Sequence, residues 1–309
     1  MTVSGVSVER SPATATDGSD GYYGRPIVRP HVWKDAIGWY FFTGGLAGAS
    51  SVVAAAAELA GDRRLASHAR RASMLGLLPS PALLIVDLGR PSRFYNMLRV
   101  FKPNSPMSVG SWLLAAYSPL AGGSWLLGEI SRLPRLRRLL GLGAGALGPA
   151  IATYTAVLVA DTATPVWFEA RRELPFVFAG SAAASAGAAS NALAALDGVS
   201  SATAGRIAAA GAVAEIGAAT LMKRRLGDLD TYSTSPLARR LSHLATGLSL
   251  GGALVGLLAG RRRALAVAGS VSVLVGSICE RMAVVRAGTA SATDPRSVLT
   301  QQKDAHTDA

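Results

Sequence analysis

Residues 87–112 read DLGRPSRFYNMLRVFKPNSPMSVGSW. This dense polar block lies between two long apolar stretches. It carries Arg90, Arg93, Arg99 and Lys102, three prolines (Pro91, Pro103 and Pro106), and Asp87 at its membrane edge. A plain connection between two membrane segments needs none of these groups. A surface on which another protein docks uses all of them: rim charges steer encounter, and prolines hold the backbone that presents them.

Working outward, the composition places the block in a bilayer. Half of the 309 residues are hydrophobic and only 16% are charged, against roughly 25% in soluble domains. Mean hydropathy is +0.32. Aromatic residues make up 6% of the chain, while alanine and glycine are abundant. Small residues suit helix–helix contact in lipid, where close backbone approach replaces the hydrophobic driving force. The net charge of +12 does not point to nucleic acid. The basic residues fall in short clusters between apolar runs, as in GDRR, RLPRLRR and GRRR, where they orient loops and meet headgroups.

A helix needs about 20 mostly apolar residues to cross a bilayer. Segments near 36–59, 71–88, 108–130, 139–161, 174–196, 203–222, 241–259 and 264–282 meet that length. The expected architecture is an all-α integral membrane protein of about eight transmembrane helices in two four-helix bundles. Residues 1–21, rich in Ser, Thr, Gly and Asp, read as a disordered polar tail. Residues 22–286 form the membrane domain, and 287–309 a flexible polar C-terminal tail. An even number of spans puts both termini on one side. The prokaryotic plasma membrane is the expected location.

The residues that carry chemistry are few. The single cysteine, Cys279, supports neither a disulfide framework nor an iron–sulfur cluster, which takes about four ligands. Of the four histidines, His31, His68 and His306 fall in expected loops or tails, and only His243 lies near a span. Bis-histidine ligation is therefore not expected, nor b-type haem, nor any metal site. Nucleotide-binding and hydrolase motifs are absent. Glycines 44–48 lie within an apolar run and mark helix packing. Ionisable groups inside spans cost roughly 2.5–3.5 kcal/mol at a central position. Glu58, Glu129 and Arg281 are expected at span ends. Glu215 is the deepest, and is paired to a cation, neutral, or part of a proton path. Asp87 and Arg90 are spaced for a local ion pair.

DLGRP followed by RVFKP, SPMS and VGSW resembles the signature of the NrfD/polysulfide reductase membrane-subunit family. Tyr22–Pro26 with Val32-Trp33-Lys34, Tyr40-Phe41-Phe42 with Gly44–Gly48, and Tyr154-Thr155 through Pro165-Val166-Trp167 also resemble it. The likeness is good from Tyr22 to Gly180 and rests mainly on hydropathy beyond. It implies a quinone-reactive anchor, non-catalytic alone, in a complex of the formate dehydrogenase or polysulfide reductase type. Its implied partners are a ferredoxin-like iron–sulfur subunit and a molybdopterin catalytic subunit. Electrons would pass between the former and a menaquinone or ubiquinone pool, with lipid around the chain.

The resemblance further implies a quinone site of Tyr40, Tyr154, Asp161 and Trp33. Tyr154 matches the position whose hydroxyl is taken to bind quinone; Tyr40 stands where polysulfide reductases have a histidine. A tyrosine hydroxyl still donates to a carbonyl. Glu215 and Asp87 are expected on a proton path, and Arg90, Arg93, Arg99 and Lys102 at the docking surface. Two other readings remain open. A secondary transporter would use Glu215 and helices broken at Pro79-Ser80-Pro81 or Pro119. A structural anchor would hold a redox complex on the membrane without quinone chemistry.

Overall fold

The computed structural model describes residues 35–87, 93–229, 231–260 and 262–294. Trp33, Arg90 and the side chain of Arg93 fall outside the described residues. Everything described is helix or short connection, with no strand among the described residues. The helices are α1 (Ala36–Leu59), α2 (Arg63–Leu77), α3 (Pro79–Asp87), α4 (Arg93–Arg99), α5 (Pro106–Glu129), α6 (Pro134–Ala160), α7 (Pro165–Glu169), α8 (Leu174–Leu196), α9 (Ala202–Leu226), α10 (Thr231–Thr234), α11 (Pro236–Leu258) and α12 (Arg263–Thr293). Of these, α1, α6, α9, α11 and α12 are long and apolar enough to cross a membrane. The expected all-α membrane architecture holds.

The chain runs up and down. Helices α1, α2, α5 and α6 pack on one another, as do α8, α9, α11 and α12, and α8 joins the sets through α1, α2 and α6. Three short turns (60–62, 130–133 and 197–201) gather at one end. Gly61 and Gly198 there sit at φ +80° and +78°, a left-handed conformation that ends a helix cheaply only in glycine. At the same end, Glu58 accepts from Arg70 (3.0 Å) and Arg137 (2.8 Å), and Arg71 bridges Glu129 and Asp197. This network ties the ends of α1, α5 and α8 to the start of α6 and to α2. The longer connections with α4, α7 and α10 lie at the other end, where Arg286 meets Asp35 at 2.5 Å.

Close backbone approach holds the legs together. A Cβ on Gly48 would stand 2.5 Å from the carbonyl oxygen of Gly148, and one on Gly148 equally close to that of Gly48. Gly48 of the GGLAG stretch thus marks the α1–α6 crossing. Along α8–α9, a Cβ on Gly180 would meet the Glu215 nitrogen at 2.4 Å, and one on Gly187 the Ala208 nitrogen at 2.3 Å. In lipid such contact supplies the dispersion energy that drives association. A hydroxyl clasp adds to it. The buried Tyr117 of α5 donates to the carbonyl of Ala47 (2.7 Å), and its oxygen lies 2.7 Å from Ser51 Oγ on α1 and 2.9 Å from Ser73 Oγ on α2. Tyr117→Phe is expected to lower thermal stability in detergent by about 1–2 kcal/mol, because the Ala47 carbonyl and two serine hydroxyls lose their shared partner. An unchanged melting temperature would show that Ser51 and Ser73 re-pair without it.

Three expectations need correction. The second span, read from residue 71, begins at Arg63, so His68 lies inside α2, buried, with Nε2 3.0 Å from Asp197 Oδ2. The arginines of α2 mask its amphipathic helix in a hydropathy reading. The stretch expected as one span over 71–88 is divided at Leu78, which keeps helical dihedrals, and Pro79 opens a separate helix, α3. Finally, α12 continues to Thr293, with Ala287, Gly288, Ser291 and Ala292 buried. Arg281, expected at a span end, is therefore mid-helix and 1% exposed.

Candidate functional site

From Val100 to Trp112 the block is a turn-and-cap device. Ser105 caps α5, accepting from the Ser108 nitrogen, and Pro106 occupies the first turn, where a missing N–H costs nothing. The Ser108 hydroxyl donates to the carbonyl of Val100 and accepts from the Lys102 nitrogen at 3.0 Å. The loop is thereby folded back on the helix it precedes. It leaves Arg99, Val100, Phe101 and Lys102 exposed, with the Phe101 ring edge-on to Trp112 at 6.2 Å. Asp87 is partly buried at the end of α3, on the same side.

Below this surface the structure brings Tyr40 and Tyr154 together. Tyr40, on the first turns of α1, is 2% exposed. Its ring meets that of Tyr154 on α6 edge-to-face, with centroids 6.4 Å apart at 72°. Tyr154 is half-buried and lies across Gly110 of α5, where a Cβ would come within 2.2 Å of Tyr154 Cε2. The glycine of VGSW is the floor on which this ring rests. Asp161 caps the end of α6, exposed. It lies seven residues beyond Tyr154, about 10 Å along the helix axis, so it is a group of the rim rather than of the tyrosine pair.

A second cluster lies between α1, α8, α9 and α12. Arg281 Nη2 donates to the Phe178 carbonyl at 2.8 Å, and its guanidinium carbon stands 3.7 Å from the centroid of the Phe178 ring. A Cβ on Gly45 would approach Nη2 at 3.2 Å, so the small residue leaves the guanidinium its place. Glu215 and Glu280, both buried, share the electrostatic environment of Arg281. Lys223 faces Glu280, donates to the Ser242 hydroxyl and lies 5.5 Å from the Tyr232 ring. Two carboxylates and two cations thus share one interior region, which offsets the cost of burying each. Oε1 of Glu280 and Nε and Nη1 of Arg281 have no hydrogen-bond partner among the described residues.

The two clusters are joined by aromatic rings. Tyr40 neighbours Phe41 at 6.5 Å, and Phe41 neighbours Phe178 at 5.8 Å. Sequence reasoning singled out Glu215 but missed Glu280 and Arg281 as its partners. Their only signal was two adjacent charges in an apolar run. Glu215 and Asp87, expected together on one path, stand on helices of different sets. Nearby, Trp167 of α7 is pinned to α12: its Nε1 donates to the Val284 carbonyl at 2.8 Å, and Gly288 makes room for the ring. No group of three or more His, Cys, Asp or Glu side chains suited to a metal ion occurs among the described residues.

No curated protein matches the chain. A family model, described as polysulphide reductase, NrfD, matches residues 28–224. That stretch runs from the approach to α1 almost to the end of α9. It takes in the turn-and-cap device, the tyrosine pair and Glu215, and leaves Glu280 and Arg281 beyond it. The chain is a multi-pass membrane protein, and it belongs to the NrfD family.

Proposed function

We propose that this chain is the membrane subunit of a multi-subunit oxidoreductase, passing electrons between an iron–sulfur partner and membrane quinone. The observation that carries this reading is the meeting of Tyr40 and Tyr154 beneath the exposed Arg99–Lys102 turn. A half-buried hydroxyl-bearing ring beside an apolar wall fits a quinone headgroup, which needs hydrogen-bond donors at its carbonyls and an apolar slot. When bound, a quinone supplies a two-electron carrier that takes up protons on reduction. The chain's own part is to hold and orient that headgroup, with Tyr154 as the principal donor and Tyr40 setting the tilt of its ring. Trp33 and Asp161 would belong to the rim.

Arg99 and Lys102, with Arg90 and Arg93 of the same block, would receive an acidic face of a ferredoxin-like subunit, itself linked to a molybdopterin catalytic subunit. Val100 and Phe101 add an apolar centre to that basic rim, the usual arrangement of a docking patch. Glu215, with Glu280 and Arg281 now beside it, supports a proton route in the second set of helices; Asp87 would serve the partner-facing surface.

The test is Tyr154→Phe in the assembled complex. Quinone-linked turnover is expected to fall about 10–100-fold, the worth of one or two charge-developing hydrogen bonds, while partner binding is kept. Turnover unaltered by Tyr154→Phe and by Asp161→Asn would leave the chain a structural anchor. Substrate uptake into liposomes by the chain alone would favour a transporter.

A further inference from the structure

At the end of the molecule away from the Arg99–Lys102 turn, a cavity of about 620 Å³ opens between the start of α2, the end of α8, the start of α9 and the α11–α12 turn. Three arginines line it, Arg64, Arg206 and Arg263, and no carboxylate does among the described residues. All three are exposed. Among the described residues none of them is held in an ion pair, whereas Arg70, Arg71 and Arg137 at the same end are all tied to carboxylates. Arg263 reaches the Gly198 carbonyl, at 3.5 Å. Two long helices, α9 and α12, begin at its wall and two others, α8 and α11, end there, so the helix termini offset one another and the positive field is that of the three arginines. Asn191, buried beneath, donates to Ser270 and gives the cavity a polar floor.

The surroundings are apolar. Leu257 lines the cavity, and Leu196, Leu258 and Leu265, chain neighbours of the lining residues Ala195, Leu257 and Ala266, are exposed. A groove of about 590 Å³ between α1, α6, α8 and α9, apolar except for Asp62 and two threonines, starts at Leu65 and Thr203, the chain neighbours of Arg64 and Ala202 in the cavity wall; the Asp62 carboxylate there accepts from the Leu65 nitrogen. A basic hollow at helix ends beside a greasy groove fits an amphiphile with an anionic head.

We propose that this cavity binds a phosphate-bearing anion, and specifically the headgroup of an anionic phospholipid whose acyl chain lies in the neighbouring groove. The three guanidiniums supply paired donors in the fork geometry that phosphate oxygens accept. The leucine rim and the groove decide for a lipid over a soluble phosphate, which would gain nothing from them.

The full chain, purified in mild detergent and delipidated, is titrated with phosphatidylglycerol, phosphatidylcholine or inorganic phosphate and followed by native mass spectrometry and thermal unfolding. Phosphatidylglycerol is expected to give a bound adduct and raise the melting temperature, and phosphatidylcholine to do neither. The double variant Arg206→Gln with Arg263→Gln is expected to bind phosphatidylglycerol about 30-fold more weakly, at the usual worth of two interfacial arginines. The corresponding double lysine variant keeps the charge but loses the paired donors, and is expected to bind between the unaltered chain and the glutamine variant. Equal binding of phosphatidylcholine, or unchanged binding by the glutamine variant, overturns the site. Inorganic phosphate that binds and expels the lipid overturns the lipid assignment and points to a soluble phosphate compound. The comparison of lipids on the unaltered chain decides the matter even if the glutamine variant does not fold.

Discussion

Arg281→Ala is expected to lower the stability of the folded chain by about 3–5 kcal/mol, the cost of stripping one partner from a buried charge group. The guanidinium sits among Glu215, Glu280 and the Phe178 carbonyl and ring, with 1% of the residue exposed. Its removal leaves two carboxylates in an apolar interior with Lys223 as the remaining nearby cation. It also empties a volume that Gly45 cannot fill, because α1 there offers no side chain. The measurement is thermal unfolding in detergent, read as loss of monodisperse protein after heating.

The electrostatic part of that loss is separable from the packing part. Adding Glu280→Gln to Arg281→Ala should recover at least half of the lost stability, since the second change removes a charge that the first left uncompensated. The two effects are then strongly non-additive, as expected for side chains that share one environment. An Arg281→Ala protein that unfolds at the unaltered temperature would mean that water or a second conformation already solvates the carboxylates.

The second large effect is expected at a residue with no chemistry of its own. Gly110→Ala places a methyl group within 2.2 Å of Tyr154 Cε2, a distance at which the ring must leave its seat. Since the obstructing atom belongs to the tyrosine ring and not to backbone, α5 and α6 can stay in contact while Tyr154 turns. Quinone-linked turnover of the assembled complex is expected to fall about 10–100-fold, as for loss of the hydroxyl itself. In a Tyr154→Ala background the same Gly110→Ala change should cost little more, because the ring it displaces is gone. Full turnover by Gly110→Ala alone would show that the position of Tyr154 is not used.

Much of this molecule is readable from the chain alone. Low charge and long apolar runs specify membrane helices because a bilayer tolerates few alternatives: every backbone group must be paired within its own segment. The SPMS tetrad declares a helix start locally, since a serine cap followed by proline acts within one turn. Gly48 marks a helix crossing because only a missing side chain permits backbone contact at that range. The tyrosine pair was legible through family likeness rather than through spacing, as Tyr40 and Tyr154 lie over a hundred residues apart.

Tertiary structure decided the rest, and the reason is the same in each case. A hydropathy window treats a charge as a boundary, so it ends the last span near Arg281 and starts the second after His68. Packing moves both boundaries by giving those charges partners on other helices: Glu215 and the Phe178 carbonyl for Arg281, and Asp197 for His68. Tyr117 is one more apolar residue along the chain until Ser51 and Ser73 arrive from two other helices to meet its hydroxyl. The three arginines of the far cavity read in sequence as ordinary topology charges. Only the fold set them around one hollow while tying Arg70, Arg71 and Arg137 to carboxylates. Local pattern determines which segments enter the membrane; which charges are cancelled there, and which stay available, depends on contacts between residues that the chain keeps far apart.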